Sequence, residues 1–500
     1  MHRLTIHRTV WLALSVAGAL ALPAWATDNV WTDQGGDDSA GNPANWSLGH
    51  IPNMSENAII TSGTQIILSN NQNLVATTIQ CTIPMYINAG YVFCTTFNTS
   101  STLSTYNNAQ IYLASTMQVN GTWNVFGTTV GWWQAGANPT VTIGPSAHVV
   151  LNSGGMYLQD ALVNQGVITG QGQTISFGSA QISIEFLNSN TGVIADTSIV
   201  NDGLLTPYVF NQGTMSWTGG APHLTVFGNE GIVDLRGAQL TIDDLLDLDG
   251  DTSLDFGYWA LRDSSTITHN NCGDISALGG SATVRFEGGT NFFGGLERMT
   301  SIAGRLEIYG TTMQLVPPFF GHVDLSGFLR MEDGGRIEVL GGFWITSGDA
   351  VLDKVVAQPS DNDVIVTDAA SLVGGQLIVE LQNQQSATAG TTIRLMQDTD
   401  NCCDIGGTFA SVDVFGTNNP TFVDYQQHLV RVLVSSNVVG DMNCDGVVNF
   451  NDINPFVLAL TGQAAYNVQY PNCNWLNADC NADGSVNFAD IDPFVALLGG

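Results

Sequence analysis

From residue 27 to about residue 437 the chain is a succession of short apolar, β-branched runs set between clusters of Gly, Asn, Ser and Thr. Ala58-Ile59-Ile60-Thr61, Gln65-Ile66-Ile67-Leu68, Val141-Thr142-Ile143 and His148-Val149-Val150-Leu151 are typical. Runs of this length and make-up predict strands, and the clusters between them predict turns. No stretch keeps a helical apolar period between helix caps, so helices should be scarce. The body is expected to be all β.

A short phrase recurs within it. Val163-Asn164-Gln165-Gly166-Val167-Ile168 is followed by Val200-Asn201-Asp202-Gly203-Leu204-Leu205, Phe210-Asn211-Gln212-Gly213-Thr214-Met215 and Gly228-Asn229-Glu230-Gly231-Ile232-Val233. The first step between copies is close to twice the last. Asn190-Thr191-Gly192-Val193-Ile194 is a looser copy. Asn and Gly both tolerate the left-handed backbone of a corner, and the apolar pair that follows would start an inward-facing strand. A period of this order suits one coil of a parallel β-helix. At roughly 4.8 Å per coil, about twenty coils would make a rod on the order of 100 Å long. The alternative is a string of β-sandwiches that share turn chemistry. The solenoid is the preferred reading.

Both ends of the body carry further phrases. Trp31, Trp46, Pro52 and Ala58-Ile59-Ile60 resemble the opening of bacterial secreted solenoids related to autotransporter passengers. Val364-Ile365-Val366-Thr367, Gly374-Gly375-Gln376-Leu377-Ile378-Val379 and Gly407-Thr408-Phe409-Ala410-Ser411-Val412 resemble their closing strands. The resemblance implies a scaffold rather than a reaction.

The start of the chain predicts export. Arg3 and Arg8 precede an apolar run over residues 10–22, and Ala24-Trp25-Ala26 is a cleavage signature that would leave Thr27 first. The run is short for a membrane span, and no later stretch is long and apolar enough to be one, so no transmembrane anchor is expected. The alternative is that residues 10–22 act as an anchor.

Charge narrows the partners. There are 44 acidic and 12 basic residues, Lys354 is the only lysine, and residues 9–235 contain no Lys or Arg. Nucleic acid and anionic membranes need a cationic patch and are poor partners; divalent cations are better ones. Eight cysteines in an exported chain favour disulfides over reactive thiols. Cys81, Cys94, Cys272, Cys402 and Cys403 lie in the body and Cys444, Cys473 and Cys480 near the end, two odd groups whose pairing spacing does not decide.

Chemistry concentrates in residues 438–500, expected to be a separate domain after the leader (1–26) and the body (27–437). Two near-copies of one phrase start at Asp441 and Asp479. Asp441, Asn443, Asp445, Gly446, Val447, Asn449 and Asp452 occupy positions 1, 3, 5, 6, 7, 9 and 12 of the first. Asp479, Asn481, Asp483, Gly484, Ser485, Asn487 and Asp490 occupy them in the second. Calcium wants six to eight oxygens, and this spacing supplies them, with the position-7 backbone carbonyl as one and glycine at the sharp turn. Two Ca2+ ions are expected, one per loop. Position 12 is Asp, one methylene shorter than the Glu of a paired-helix calcium hand. Between residues 440 and 500 there are seven Asp and no Lys, Arg or His, so ion uptake should be coupled to folding. An Asx-rich turn without metal is the alternative, less persuasive for two copies with matching flanks. Each loop continues into Asp-Ile-x-Pro-Phe-Val, predicting an exiting helix with Pro near its first turn. Phe456, Val457, Leu460, Phe494, Val495 and Leu498 are expected to form the core between the two.

This duplicated loop-helix resembles a type I dockerin, especially the form at the C-termini of large secreted proteins of planctomycete-like bacteria. There a Cys at loop position 4 and a Tyr-Pro-x-Cys phrase recur, as Cys444 and Tyr470-Pro471-Asn472-Cys473 do here. The resemblance implies a Cys444–Cys473 bridge and docking to a cohesin-like protein or a cell-surface component. Cys480 is extra to the pattern. Positions 10 and 11, often a small hydroxyl pair that contacts cohesin, are Phe450-Asn451 and Phe488-Ala489 here, so the metal ligands carry over but the partner does not.

Other candidates are weaker. Asp243, Asp244, Asp247, Asp249 and Asp251 lack the loop spacing and read as turn carboxylates rather than a glycosidase pair. Trp132 and Trp133, with Trp123 and Trp217, are candidates for sugar stacking, although adjacent strand residues point to opposite faces. The region before Arg236 cannot supply a lyase base; Arg285, Arg305, Arg330 or Arg336 could, but no acidic cluster accompanies them at a readable spacing. Cys402-Cys403 could form a vicinal disulfide, with two ordinary bridges preferred. The expected function is a non-catalytic surface, adhesion or scaffold protein. The competing readings are a lyase or glycoside hydrolase of polysaccharide breakdown and a carbohydrate-binding rod.

Overall fold

The computed structural model describes residues 26–132, 139–159, 161–178, 185–201, 208–248, 252–270, 273–318, 321–356, 364–382, 391–398, 403–417, 419, 421–434, 438–470 and 473–498. Residues 1–25 of the expected leader, Trp133, Asp249, Asp251, Cys272 and Cys402 lie outside them. The chain divides into two compact units, Met1–Asp160 and Ala161–Gly500. The body strands form a parallel β-solenoid of about 13 turns in all.

In the first unit, strand Thr27–Val30 pairs in parallel with Glu56–Ile60. Trp31 and Trp46 follow it, both buried and packed edge to face at 5.2 Å, with the Trp46 indole donating to the Ala40 carbonyl. The coils then repeat at nearly constant length: Asn73 pairs with Tyr91, Tyr91 with Gln110 and Gln110 with Thr129. Alternation does the folding. Val92, Cys94 and Phe97 turn inward and are fully buried, while Tyr91 and Phe93 on either side of Val92 stay half-exposed.

Residues 57–159 contain no Asp, Glu, Lys or Arg. Instead, outward aromatics stack along the coil direction, Phe93 on Tyr112 at 5.1 Å and Tyr106 on Phe126 at 4.6 Å. Such ladders turn ring faces toward each other and leave edges to solvent, the opposite of what a sugar platform presents. Trp123 and Trp217 are core residues: both are buried, donating to the Thr105 hydroxyl and the Thr197 carbonyl. They are not part of a stacking platform. Trp132 closes strand Thr122–Trp132.

In the second unit coil length varies. Val193 pairs with Thr214, Thr214 with Ile232, and Gln376 with Ser411, three coils of unequal length of which the last is by far the longest. Longer turns explain why there are fewer coils than the twenty expected from a fixed period. The parallel pairing excludes a string of sandwiches. The expected closing strands are present as Ile365–Val373, Gln376–Leu381, Ile405–Thr408 and Ser411–Phe415. Strand Thr392–Gln397 then pairs antiparallel with Leu429–Val434, itself paired with Thr421–Gln426, which occupies one otherwise open edge.

The Asn-x-Gly phrase works differently from the corner role expected of it. Asn164, Asn188, Asn211 and Asn229 lie in register, all buried, and each amide donates to the next side-chain oxygen at 2.8, 2.7 and 2.8 Å. The loose copy joins the ladder through Asn188, not Asn190. The glycines are there for close approach rather than for a left-handed turn. A Cβ on Gly213 would sit 2.2 Å from the Gly192 carbonyl oxygen, and one on Gly231 would sit 2.2 Å from that of Gly213.

Cys81 and Cys94 are buried thiols rather than halves of a disulfide. Burial pushes the Cys81 thiol up to about 11, the Ile83 carbonyl opposing weakly, and pushes Cys94 further. At pH 8 only about one Cys81 in a thousand is thiolate, and the thiolate is the nucleophile. Iodoacetamide at pH 8 should therefore leave both unmodified in the folded protein and label both in concentrated guanidinium. Peptide mass mapping that found rapid native labelling would contradict this packing.

Candidate functional site

The two C-terminal loops adopt one conformation twice. The position-12 aspartate closes each. In the first loop Asp452 Oδ1 accepts the N–H groups of Met442 and Asn443, and Oδ2 that of Asn449. In the second, Asp490 Oδ1 accepts from Asn481 N–H and Oδ2 from Asn487 N–H. The position-1 carboxylates hold the turn: Asp441 accepts from the N–H groups of Asp445 and Gly446, and Asp479 from those of Asp483 and Gly484.

The remaining oxygens link around the same loop. Asn443 Nδ2 donates to Asp445 Oδ2 at 3.0 Å, Asp445 Oδ1 accepts from Val447 N–H, and Asn449 Nδ2 donates to the Val447 carbonyl. Asn481, Asp483, Ser485 and Asn487 repeat each bond. Gly446 and Gly484 have φ of 89° and 86°, with open space where a Cβ would stand. Here glycine is needed for its backbone. Cys444 and Ala482 at position 4 are also left-handed, at 55° and 59°.

Helices α1 (Ile453–Leu460) and α3 (Ile491–Leu498) leave the loops, and α2 (Gln463–Gln469) lies between the repeats. Phe456 and Phe494 stack face to face at 3.9 Å in a core with Met442, Ala459, Tyr466 and Ala478. Leu460 and Leu498 pack against it, but Val457 and Val495 are 55% and 57% exposed. The last two are not core residues, because they sit on the solvent side of short helices whose inner face is filled by Phe and Leu. Cys444 and Cys473 are bridged, as the resemblance implies, whereas Cys480 is a free, half-buried thiol. The Tyr466 hydroxyl donates to the Met442 carbonyl; burial raises its pKa, and the Asp441 and Asp452 charges add to this.

Asp441, Asp452 and Asp490 are buried in a segment with no cationic residue. A buried charge needs ion pairing or a metal. The donor set is all oxygen with three carboxylates per loop, which suits a hard divalent cation. Among the described residues no three His, Cys, Asp or Glu side chains converge as a ready metal cluster; a cation in either loop would need amide and carbonyl oxygens as well.

No family model, curated protein or solved structure matches this chain.

The other candidates separate clearly. Asp243 and Asp244 lie on strand Gln239–Leu245 rather than in a turn, and Asp243 pairs with His223 and Asn270; Asp247, in the 3-10 helix Leu246–Leu248, accepts the N–H groups of Asp255 and Phe256. The arginines tell a different story. Arg285, Arg305, Arg330 and Arg336 each bond the glutamate two positions on, Glu287, Glu307, Glu332 and Glu338. An acidic cluster does accompany them. The signal in the sequence is an Arg-x-Glu phrase repeated at 285, 305, 330 and 336.

Proposed function

We propose that this protein is an exported, non-catalytic β-solenoid acting as a surface, adhesion or scaffold component, with a dockerin-like tail organised by two calcium ions. The observation that carries the reading is duplication: oxygens at loop positions 1, 3, 5, 7, 9 and 12 make matching bonds in two separate loops of the same tail. Asp441, Asn443, Asp445, Val447, Asn449 and Asp452 would hold one ion and Asp479, Asn481, Asp483, Ser485, Asn487 and Asp490 the other. The ions would supply charge neutralisation and shape. Among the described residues no helix is long and apolar enough to cross a membrane, which is compatible with this reading.

Docking is proposed to run through position 10. Phe450 and Phe488 are 76% and 78% exposed, with Val457 and Val495 equally placed on the following helices. Large exposed rings at the position where cohesin-binding dockerins carry hydroxyls point to a partner, a cohesin-like protein or cell-surface component, with an apolar contact face.

Residues 438–500 alone should gain helical circular dichroism on calcium addition, and Asp445→Ala with Asp483→Ala should abolish the gain. A parent spectrum that calcium leaves unchanged, with no heat of binding in calorimetry, would sink the reading.

A further inference from the structure

The first coil is closed over its core and the last is not. Strand Thr27–Val30 pairs with Glu56–Ile60 on one side, and on the other the chain folds back along it. Ser47 N–H donates to the Val30 carbonyl, Thr32 N–H to that of Asn45, and Val30 N–H to the Ser47 hydroxyl. Asn29 and Trp31, which point inward here, are fully buried.

The last coil ends differently. In the second unit one inward column runs Trp259, Val284, Leu306, Leu329, Leu352, Leu377 over successive strands, every member fully buried. It stops at Val412, which is in register with Leu377 yet 38% exposed. Beside it, buried Val379 is followed by half-exposed Val414. Their strand, Ser411–Phe415, has no buried residue and, among the described residues, pairs with Gln376–Leu381 alone. The hairpin over residues 421–434 closes the neighbouring edge: the Gln427 carbonyl accepts from Ile405 N–H and the Tyr425 hydroxyl from Phe409 N–H. It stops short of Ser411–Phe415. Stacked coils bury a continuous core, and a terminal coil ordinarily presents a polar outer face. A bare strand edge beside inward-pointing valines is the opposite, and such an edge pairs readily with another chain.

We infer that a second copy of this chain covers the last coil, the two Ser411–Phe415 strands pairing antiparallel across a two-fold axis. Two observations select that occupant. The tail follows directly after residue 437, and with it in place Val412 and Phe415 remain exposed, so the tail is not the cover. What needs covering is one rung of coil, and the same rung of another copy matches it in strand spacing, polar edge and apolar interior. The one charge on the strand is Asp413, which points to the outer face and accepts from the Gln376 amide at 2.7 Å. Val412 or Val414 rather than Asp413 lies on the axis, since like charges directly opposite would repel. Because the first coil is closed, association ends at two copies instead of growing into a fibre. One rung is small for an interface, which sets the dissociation constant in the micromolar range.

Sedimentation equilibrium of the full chain from about 1 to about 100 μM should show monomer and dimer only. The result should be the same in calcium and in chelator, so it does not depend on ion binding by the tail. Val412→Asp places a charge where the valines meet and should weaken the dimer at least about tenfold. Phe450→Ser with Phe488→Ser, in the tail, should dimerise as the parent does. Hydrogen exchange on the unmutated chain is free of any folding defect in a variant. Amides of Ser411–Phe415 should exchange several-fold more slowly at the high concentration than at the low one. A parent that stays monomeric, exchange that ignores concentration, or a dimer that Val412→Asp leaves intact would overturn the inference. So would loss of the dimer in the tail variant, or species larger than a dimer.

Discussion

Asn188→Ala should destabilise the coils of the second unit by roughly 2–5 kcal/mol. Asn188 is the middle of a buried chain: it accepts from Asn164 and donates to Asn211, and also reaches the carbonyls of Gly192 and Thr214. Truncation takes away the donor that Asn211 Oδ1 meets in the ladder and one acceptor of Asn164, both inside the coil where water does not compensate. It also opens a void beside Gly192 and Gly213, which are glycines because backbone and the ladder crowd them. Asn190→Ala, on the same turn but exposed, should change stability by less than about 0.5 kcal/mol. Denaturant titration of both variants, with hydrogen exchange reporting the coil amides, separates them. Equal stability of Asn188→Ala and the parent would mean that the ladder is ornamental and apolar packing alone sets the coil.

Removing the Cys444–Cys473 bridge should cost the tail about 3–4 kcal/mol. The bridge closes a loop of sequence separation 29 and ties the first Asp-rich loop to the segment after α2, and constraining an unfolded loop of that length is worth about this much. Small domains have little core to spare. Here the described core of the tail is seven buried residues, one of which is Cys473 itself. Cys444→Ser with Cys473→Ser should therefore leave the tail dependent on bound calcium, melting far below the parent in chelator and recovering as ion concentration rises. Circular dichroism melts of residues 438–500 in chelator and in calcium measure both effects. A variant as stable as the parent in chelator would show that neither bridge nor ion holds this fold.

Much of this molecule is legible in its sequence. Alternating β-branched runs between Gly and Asn clusters dictate strands, because only a pleated backbone buries every second residue of such a run. The near-constant coil length in the first unit follows from that pattern. In the tail, oxygen-bearing residues at fixed loop offsets followed by Pro-Phe dictate a loop and an exiting helix, and both loops and both helices stand where that spacing puts them. These are short-range properties, each set within a single loop or run.

What tertiary structure decided is of longer range. That Asn188 rather than Asn190 joins the ladder depends on register between strands a whole coil apart, invisible in the phrase itself. The same holds for the register column Asp234, Ala260, Arg285, Glu307, Arg330 and Asp353, whose members come from six strands and become neighbours only when coils of unequal length stack in phase. Val457 and Val495 look as apolar as the Phe beside them, yet a two-turn helix has one inward stripe and the rings fill it. Local sequence sets which residues alternate and where chains turn; which side chains then touch depends on how far the chain travels between turns, and only the closed coil fixes that.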